Sequence, residues 1–499
     1  MAEQRQLLAQ SIFPRLNCAE YRRSAAYHDQ ITRLVAGGAV GGFVVFDGDV
    51  ETVHGVLEEL QKLAGGTLLF AADCEDGVTM RFPGGTEFPS MMALGRSEDV
   101  AATYSVARSI AREMRSLGIY WNFAPVADIN TNPNNPIINI RAFGERPELV
   151  ADHVHAYING MQDGGVVACA KHFPGHGDTE VDSHRELPTL PIDRRRLDSV
   201  ELVPFRGAIR NGVKSVMVAH VALPVVDPAG LPASLSRPIT TGLLRDELGF
   251  DGVVVTDALD MHAITASYPS GQAGLMAYAA GVDVLSIPED PEQTLAALVK
   301  AGAAKTIKQS RIKESVGRIA ALKKWTSSYQ DDLVGSGLSR RGHDVIALEA
   351  ARRSIQVAGR MRKLYPPLVV LAFSDTADNP KPEEWFSYFS SWYPGEASGV
   401  VIMPSVEEAD RREIIAKVDA AGSIIAAFFV KPRGFAGTVG LSEDQAAIAE
   451  LALAKPIILA SFGNPYLLRE AEPNVRIDTF SASSASLAAS IEALSRVVK

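Results

Sequence analysis

The strongest constraint on the fold is a succession of short apolar runs, several of them ending on or beside an ionisable residue. Val40–Phe46, Thr67–Ala72, Tyr120–Val126, Val166–Ala170, Ser215–Ala219, Gly252–Thr256 and Val282–Ile287 are too short for helices and rich in β-branched residues. That is the pattern of strands buried on both faces. Amphipathic segments separate several of them, as in Val100–Leu117, where apolar positions recur at helical spacing. Strand–helix units repeated in this number predict a parallel α/β architecture, either an open sheet or a closed (β/α)8 barrel. Asp73, Asp128, Lys171, His220 and Asp257 fall at or just beyond the C-terminal ends of these runs. In a closed barrel all such ends share one mouth, where active sites are built, so a TIM barrel is the expectation.

A helix over Ser310–Trp325, with Ile312, Val316 and Ile319 on one face, is expected to close this domain. Thr326–Gly342 is polar and rich in Gly and Ser and reads as a linker. A second alternation follows: a helical stretch around Val345–Val357, strands at Leu368–Phe373, Gly399–Met403, Ile424–Phe429 and Ile457–Ser461, and a weaker one at Val475–Phe480. The expected organisation is a catalytic barrel over residues 1–325, a linker over 326–344 and a smaller α/β sandwich domain over 345–499. The last reads as an open sheet with helices on both faces.

Lys and Arg total 49 against 59 Asp and Glu, a net charge of −10. Such a chain lacks the basic excess with which nucleic-acid binders neutralise phosphates. Three cysteines (Cys18, Cys74 and Cys169) make no disulfide framework and suit a reducing compartment. The opening Met1–Gln10 has no basic region followed by an apolar one. No run approaches the ~18 apolar residues of a membrane span. The expectation is a cytoplasmic protein with neither a nucleic-acid partner nor a membrane span.

Reactive side chains are densest in Lys171-His172-Phe173-Pro174-Gly175-His176-Gly177-Asp178-Thr179-Glu180-Val181-Asp182-Ser183-His184, directly after the strand Val166–Ala170. Its Gly and Pro residues preclude a helix. Solvent contact or capping accounts for Asp178 and Glu180 singly, but poorly for the whole run, since functional loops are those held on a rigid scaffold. A metal reading uses His172, His176, His184 and Asp182, yet the histidines share no helix face and the His-Glu-x-x-His pattern is absent. A Schiff-base reading makes Lys171 a desolvated nucleophile. An acid–base reading pairs Asp182 with His184, the carboxylate fixing the tautomer of an imidazole that donates and accepts protons near neutral pH. The nucleophile opposite it is then Asp257, at the end of Gly252-Val-Val-Val-Thr-Asp257-Ala-Leu-Asp260-Met261. A helix N-cap is the competing role for Asp257, and Asp260 is expected to serve such a role one turn on.

Lys171–Pro188 (KHFPGHGDTEVDSHRELP) resembles the motif K-H-F-P-G-H-G-x4-D-S-H-x3-P of the β-N-acetylglucosaminidases of glycoside hydrolase family 3, some of which act in bacterial cell-wall recycling. Asp73-Cys-Glu75-Asp-Gly77-Val-Thr-Met-Arg81-Phe, Asn122-Phe-Ala-Pro-Val-Ala-Asp128, Arg141-Ala-Phe-Gly, Met217-Val-Ala-His220 and Gly249–Met261 appear in family order, so that the likeness covers roughly residues 8 to 325. It implies that Asp257 attacks the anomeric carbon to form a covalent glycosyl–enzyme. His184, oriented by Asp182, then protonates the leaving oxygen and deprotonates water. The same likeness implies that Asp73, Arg81, Arg141, Lys171 and His172 hold the non-reducing sugar and its N-acetyl group. Configuration is then retained, with a histidine in place of the usual acid/base carboxyl. The family's Asp-x-Glu-Gly-Gly-Arg-Val-x-Arg is interrupted here at Asp76, Val78 and Thr79, which leaves Asp73 and Arg81 in register. Arg141-Ala-Phe143 stands where Arg-Ser-Phe is common.

The expected activity is exo-acting release of terminal N-acetylglucosamine from muropeptide fragments or chitin-type oligosaccharides, with neither metal nor organic cofactor. A phosphorylase is the alternative on the same scaffold, because an uncharged histidine repels phosphate less than a carboxylate does. A metal-dependent barrel hydrolase and a non-catalytic sugar-binding protein are the more distant alternatives. In the second domain, Gly463-Asn464-Pro465 reads as a buried structural turn.

Overall fold

The computed structural model describes residues 2–181, 185–329, 338, 340–432 and 439–498. They fall into two compact units, one comprising Met1–Thr86, Val100–Asn132 and Glu145–His343, the other Glu87–Asp99, Pro133–Gly144 and Asp344–Lys499.

The strands of the first unit are β1 (Ile12–Phe13), β2 (Arg15–Asn17), β3 (Gly42–Phe46), β4 (Leu69–Ala72), β5 (Trp121–Asn122), β6 (Cys169–Phe173), β7 (Ser215–Val218), β8 (Val253–Thr256) and β9 (Leu285–Ser286). Pro14 splits one stave into β1 and β2. Parallel pairing runs β2-β3-β4-β5 and β6-β7-β8. The parallel bridges Trp121–Val167 and Val126–Lys171 join β5 to the β6 stave, and Val255–Val284 joins β8 to the β9 stave. β9 pairs in parallel with β1. The ring therefore closes as a (β/α)8 barrel. Its first stave is absent from the apolar runs because Ile12-Phe13-Pro14-Arg15-Leu16-Asn17 carries two polar residues and a proline. The helix Val100–Leu117 spans the residues expected of it.

Phe13, Val44, Leu69, Trp121, Phe123 and Val253 belong to one interior cluster, which Ile319 and Leu322 of the closing helix Gln309–Ser327 join. Trp121 meets Phe13 and Phe123 edge-on, with ring centroids 5.8 and 5.3 Å away. Its indole N–H donates to Ser215 Oγ at 2.8 Å, and that hydroxyl donates to the Ala168 carbonyl at 2.8 Å. The one polar tip of the largest core side chain is thus satisfied inside the barrel. At the start of the β9 stave the Asp283 carboxylate, fully buried, accepts from Arg245 at 2.5 Å, Arg311 at 3.1 Å and Arg318 at 3.4 Å, and from the Val254 N–H at 3.1 Å. The three cysteines are buried and free.

The second unit adds β10 (Gln356–Gly359), β11 (Leu368–Ser374), β12 (Ala397–Ile402), β13 (Ser423–Phe429), β14 (Ile457–Ser461) and β15 (Val475–Asp478), in the order β10-β15-β14-β13-β11-β12. All pairs are parallel except β10 with β15. The helix expected over Val345–Val357 instead runs Arg340–Ser354, and Gln356–Gly359 forms the antiparallel edge strand. Alternate residues of β11 point to opposite faces: Val370 and Ala372 pack with Trp385, Phe389 and Leu487, while Val369 and Leu371 pack with Ile414, Val418 and Ile448. A sheet covered by helices on both faces is the α/β sandwich expected from the sequence.

Residues 87–99 and 133–144 belong to this second unit although they precede it in sequence. Met92, Ala93 and Ile140 cluster with Phe480. Glu87 Oε2 accepts from Lys381 Nζ at 2.7 Å and from the Ser484 N–H at 2.9 Å. Asn464, 3% exposed, takes Asn139 Nδ2 at 3.2 Å on its side-chain oxygen and donates to the Val439 carbonyl at 2.6 Å. Gly463 has no room for a side chain, since a Cβ there would lie 2.1 Å from the Val430 carbonyl oxygen. Residues 330–337 and 339 of the expected linker lie outside the described residues. Among the described residues no helix is long and apolar enough to cross a membrane.

Candidate active site

The barrel places Asp73 directly after β4 and Asp257 directly after β8, while Lys171 and His172 lie within β6 rather than beyond its end. Lys171, 2% exposed, donates from Nζ to Asp73 Oδ1 at 2.8 Å and pairs with Glu75 Oε1 at 2.8 Å. Two carboxylates against one buried amine hold it as an ammonium, which opposes the Schiff-base reading, because only the neutral amine attacks a carbonyl. Arg81 Nη2 reaches Asp73 Oδ2 at 3.4 Å. Burial pushes the Asp73 carboxyl up, but the Lys171 ammonium and Arg81 guanidinium outweigh it and hold it below the usual carboxylate range. The interrupted middle of this loop forms a short 3-10 turn, Val78–Met80, with Val78 buried and the chain returning Arg81 to Asp73.

Asp128 is the residue whose importance the sequence hid. Its fully buried carboxylate accepts His172 Nδ1–H at 2.6 Å, and it also takes the backbone N–H groups of His172 at 3.2 Å and His176 at 2.7 Å. The first contact fixes the His172 tautomer and the others set the path of the loop. Burial raises the Asp128 carboxyl, but His172 and His176 prevail and lower it. Its place beyond an apolar run, at the end of Asn122–Asp128, signalled it without showing what it binds.

The loop that follows is tied to the barrel. Gly177 approaches the Ile129 carbonyl so closely that a Cβ would lie 1.8 Å from its oxygen, and Gly175 has φ +134°. Asp178 accepts from Thr131 Oγ1 at 2.8 Å, and Arg196 links that hydroxyl, at 3.1 Å, to Glu201, at 3.0 Å. His176 is buried with Nδ1 2.7 Å from Thr179 Oγ1. Burial pulls its pKa down from 6.5 to about 4, against the opposing pull of Asp128. The folded protein therefore keeps this ring neutral at pH values where the unfolded chain protonates it. Its stabilising contribution is complete above pH ~6.5 and is lost as the pH falls toward 4, by about 3 kcal/mol. Glu201, whose carboxyl burial raises, works in the opposite direction. Urea denaturation at a series of pH values should show the acid-side loss shrinking in His176→Gln; an unchanged slope would contradict it.

Asp257 is half-buried; its N–H donates to the Val218 carbonyl at 2.9 Å, and its Oδ1 accepts the Ala258 N–H at 2.8 Å. It caps no helix, since the next one, His262–Thr265, begins five residues later. Nor does Asp260 cap it: Asp260 pairs with Arg15 Nη2 at 2.8 Å, and Met261 holds the cap position without a side-chain bond. Arg15 and Arg81 both lie over the Phe46 ring, 4.5 and 5.0 Å from its centroid.

The structure thus brings Asp73, Arg81 and Lys171 into one charged cluster, and His172 adjoins it along β6. Arg141 belongs to the second unit, where its Nη1 donates to the Ile137 carbonyl at 3.0 Å. Asp182 and His184 lie outside the described residues. Among the described residues no group of three or more His, Cys, Asp or Glu is placed to hold a metal ion.

A closed (β/α)8 barrel with paired carboxylates, a buried lysine and an Asp–His pair at the C-terminal ends of its strands is the arrangement of a barrel enzyme. Residues 5–322 match the glycosyl hydrolase family 3 N-terminal domain, and the chain belongs to that family of glycosidases. It is 34% identical to beta-hexosaminidase A of Pseudoalteromonas piscicida over 59% of its length, and 32% identical to a beta-N-acetylglucosaminidase/beta-glucosidase of Cellulomonas fimi over 68%. These matches span 55% and 64% of those two relatives. A family 3 beta-N-acetylglucosaminidase from Paenibacillus sp. str. FPU-7 superposes with a TM-score of 0.89 at 32% identity, over 99% of this chain and 97% of that one.

Proposed function

We propose that this chain is an exo-acting, retaining β-N-acetylglucosaminidase that releases terminal N-acetylglucosamine from oligosaccharides. The observation that carries the reading is the Asp73–Lys171–Glu75 cluster, with Asp128–His172 alongside it on β6, in the barrel whose β8 delivers Asp257. The names of the similar proteins support it. In this reading Asp257 bonds to the anomeric carbon as the leaving oxygen departs. His184, paired with Asp182, supplies the proton to that oxygen and then takes one from the attacking water. Asp73, Arg81, Arg141, Lys171 and His172 hold the sugar hydroxyls and the N-acetyl group. Hydroxyls suit this set: carboxylates accept from them, while guanidinium, ammonium and imidazole N–H groups donate to them. Cell-wall muropeptides and chitin-type oligosaccharides both present such a terminus, and muropeptides fit the cytoplasmic address that the free thiols favour.

The test is release of chromophore from 4-nitrophenyl β-N-acetylglucosaminide, with and without phosphate, by the wild type and by His184→Ala. Turnover without phosphate, with His184→Ala impaired more severely on unactivated disaccharides than on the nitrophenyl substrate, is expected of the hydrolase, because a good leaving group needs little protonation. Turnover that requires phosphate identifies a phosphorylase instead. Sugar binding without turnover in either condition identifies a non-catalytic protein.

A further inference from the structure

We propose that His220 is a positioning residue for the Asp257 carboxylate, holding the turn that carries it through the Ala258 carbonyl; this rests on Asp257 being the nucleophile. His220 follows β7 and is fully buried, with both ring nitrogens bound to protein: Nε2 lies 2.9 Å from the Ala258 carbonyl oxygen and Nδ1 lies 2.8 Å from Ser234 Oγ. A carbonyl only accepts, so Nε2 carries the proton; Nδ1 of the neutral ring then accepts from the Ser234 hydroxyl. Ser234 is itself fully buried and anchored by its N–H to the Ala219 carbonyl at 3.1 Å. The carbonyl fixes the tautomer, and the serine hydroxyl satisfies the nitrogen that remains.

Successive backbone groups of the turn are thereby tied to neighbouring staves. The Asp257 N–H goes to Val218 of β7 at 2.9 Å and the Leu259 N–H to Ser286 of β9 at 3.0 Å; between them, the Ala258 carbonyl goes to His220. The Asp257 carboxylate in turn rests on the Ala258 N–H at 2.8 Å. With His220 removed, the Ala258 carbonyl loses its donor, and the peptide unit it belongs to is left with the Leu259 N–H bond to Ser286, about which it can tilt. A displacement of about 1 Å at a reacting atom costs roughly 10²-fold in rate. Both ring nitrogens of His220 are committed to protein groups, so in this scheme its part is to position Asp257 rather than to exchange a proton with the sugar.

The experiment measures the rate at which an activated 5-fluoro glycosyl fluoride of N-acetylglucosamine labels the full chain, followed by intact mass. That rate constant is independent of the folded fraction. His220→Leu should label about 10- to 100-fold more slowly than wild type, with the same final extent and little change in KM on the nitrophenyl substrate. His220→Gln, which can return an amide N–H toward the Ala258 carbonyl, should recover most of that rate. Ser234→Ala, the smaller change, should label several-fold more slowly and covers the case in which His220→Leu does not fold. Wild-type rates in His220→Leu, or in Ser234→Ala where only that variant folds, overturn the inference alone. A wild type that is not labelled, or one labelled at a residue other than Asp257, overturns the nucleophile assignment and this inference with it.

Discussion

Replacing Asp257 by asparagine is expected to lower turnover of 4-nitrophenyl β-N-acetylglucosaminide by at least about 10³-fold while leaving thermal stability nearly unchanged. Asparagine keeps the volume, and its side-chain oxygen can still accept the Ala258 N–H that Oδ1 takes at 2.8 Å. The backbone ties of the turn do not involve the carboxylate. What disappears is the charge that forms the bond to the anomeric carbon. An activated leaving group makes the comparison sharper, because it removes most of the demand for acid catalysis and leaves bond formation exposed. Full activity in Asp257→Asn, with the melting temperature intact, would remove Asp257 from the reaction.

The second large effect is on stability. Asp283→Ala is expected to cost about 3–5 kcal/mol in urea denaturation. Asp283 is fully buried and shared by three arginines, whose side chains are 10%, 15% and 24% exposed. Burial pulls Arg245 down from 12.5 to about 10 even with Asp283 opposing it. Removing the carboxylate leaves these guanidinium groups largely desolvated without their counter-charge, and the Val254 N–H loses its acceptor at 3.1 Å. Asp283→Asn, which keeps the shape and loses the charge, should fall between wild type and alanine. A loss below about 1 kcal/mol in the alanine variant would mean that water reaches the arginines and that the pairing contributes little.

The parts of this fold legible in sequence are those where burial is uniform. β3, β4, β7, β8 and β13 are apolar but for Ser215, Thr256 and Ser423 at strand ends because both of their faces are covered, and their runs stand out. The stave Ile12–Asn17 escapes because Pro14 divides it and Arg15 points to an exposed ion pair with Asp260. β10 escapes for a related reason: all four of its residues are exposed at the sheet edge, so no apolar pattern marks it. At the site, the cluster of Asp73 with Lys171 follows from strand-end position. The roles of Asp128 and His220 do not, because each acts through bonds to groups far away in sequence, His172 lying 44 residues and Ala258 38 residues off. Spacing along the chain carries no trace of such a bond. Asp260 shows the converse: its position suggested a cap, and a long-range arginine claimed it.

The path of the chain between the two units has a consequence for how such a protein is inherited and dissected. The backbone passes from one unit to the other at residues 86/87, 99/100, 132/133, 144/145 and 343/344. A gene segment ending at residue 343 would therefore encode a barrel together with two fragments of something else, leaving Met92, Ala93 and Ile140 without Phe480, and Asn139 without Asn464. The two units are not beads on a string that recombination can separate at one junction. Loss or replacement of the C-terminal third would have to be matched by rewriting two internal loops, so the halves of this molecule are bound to change together.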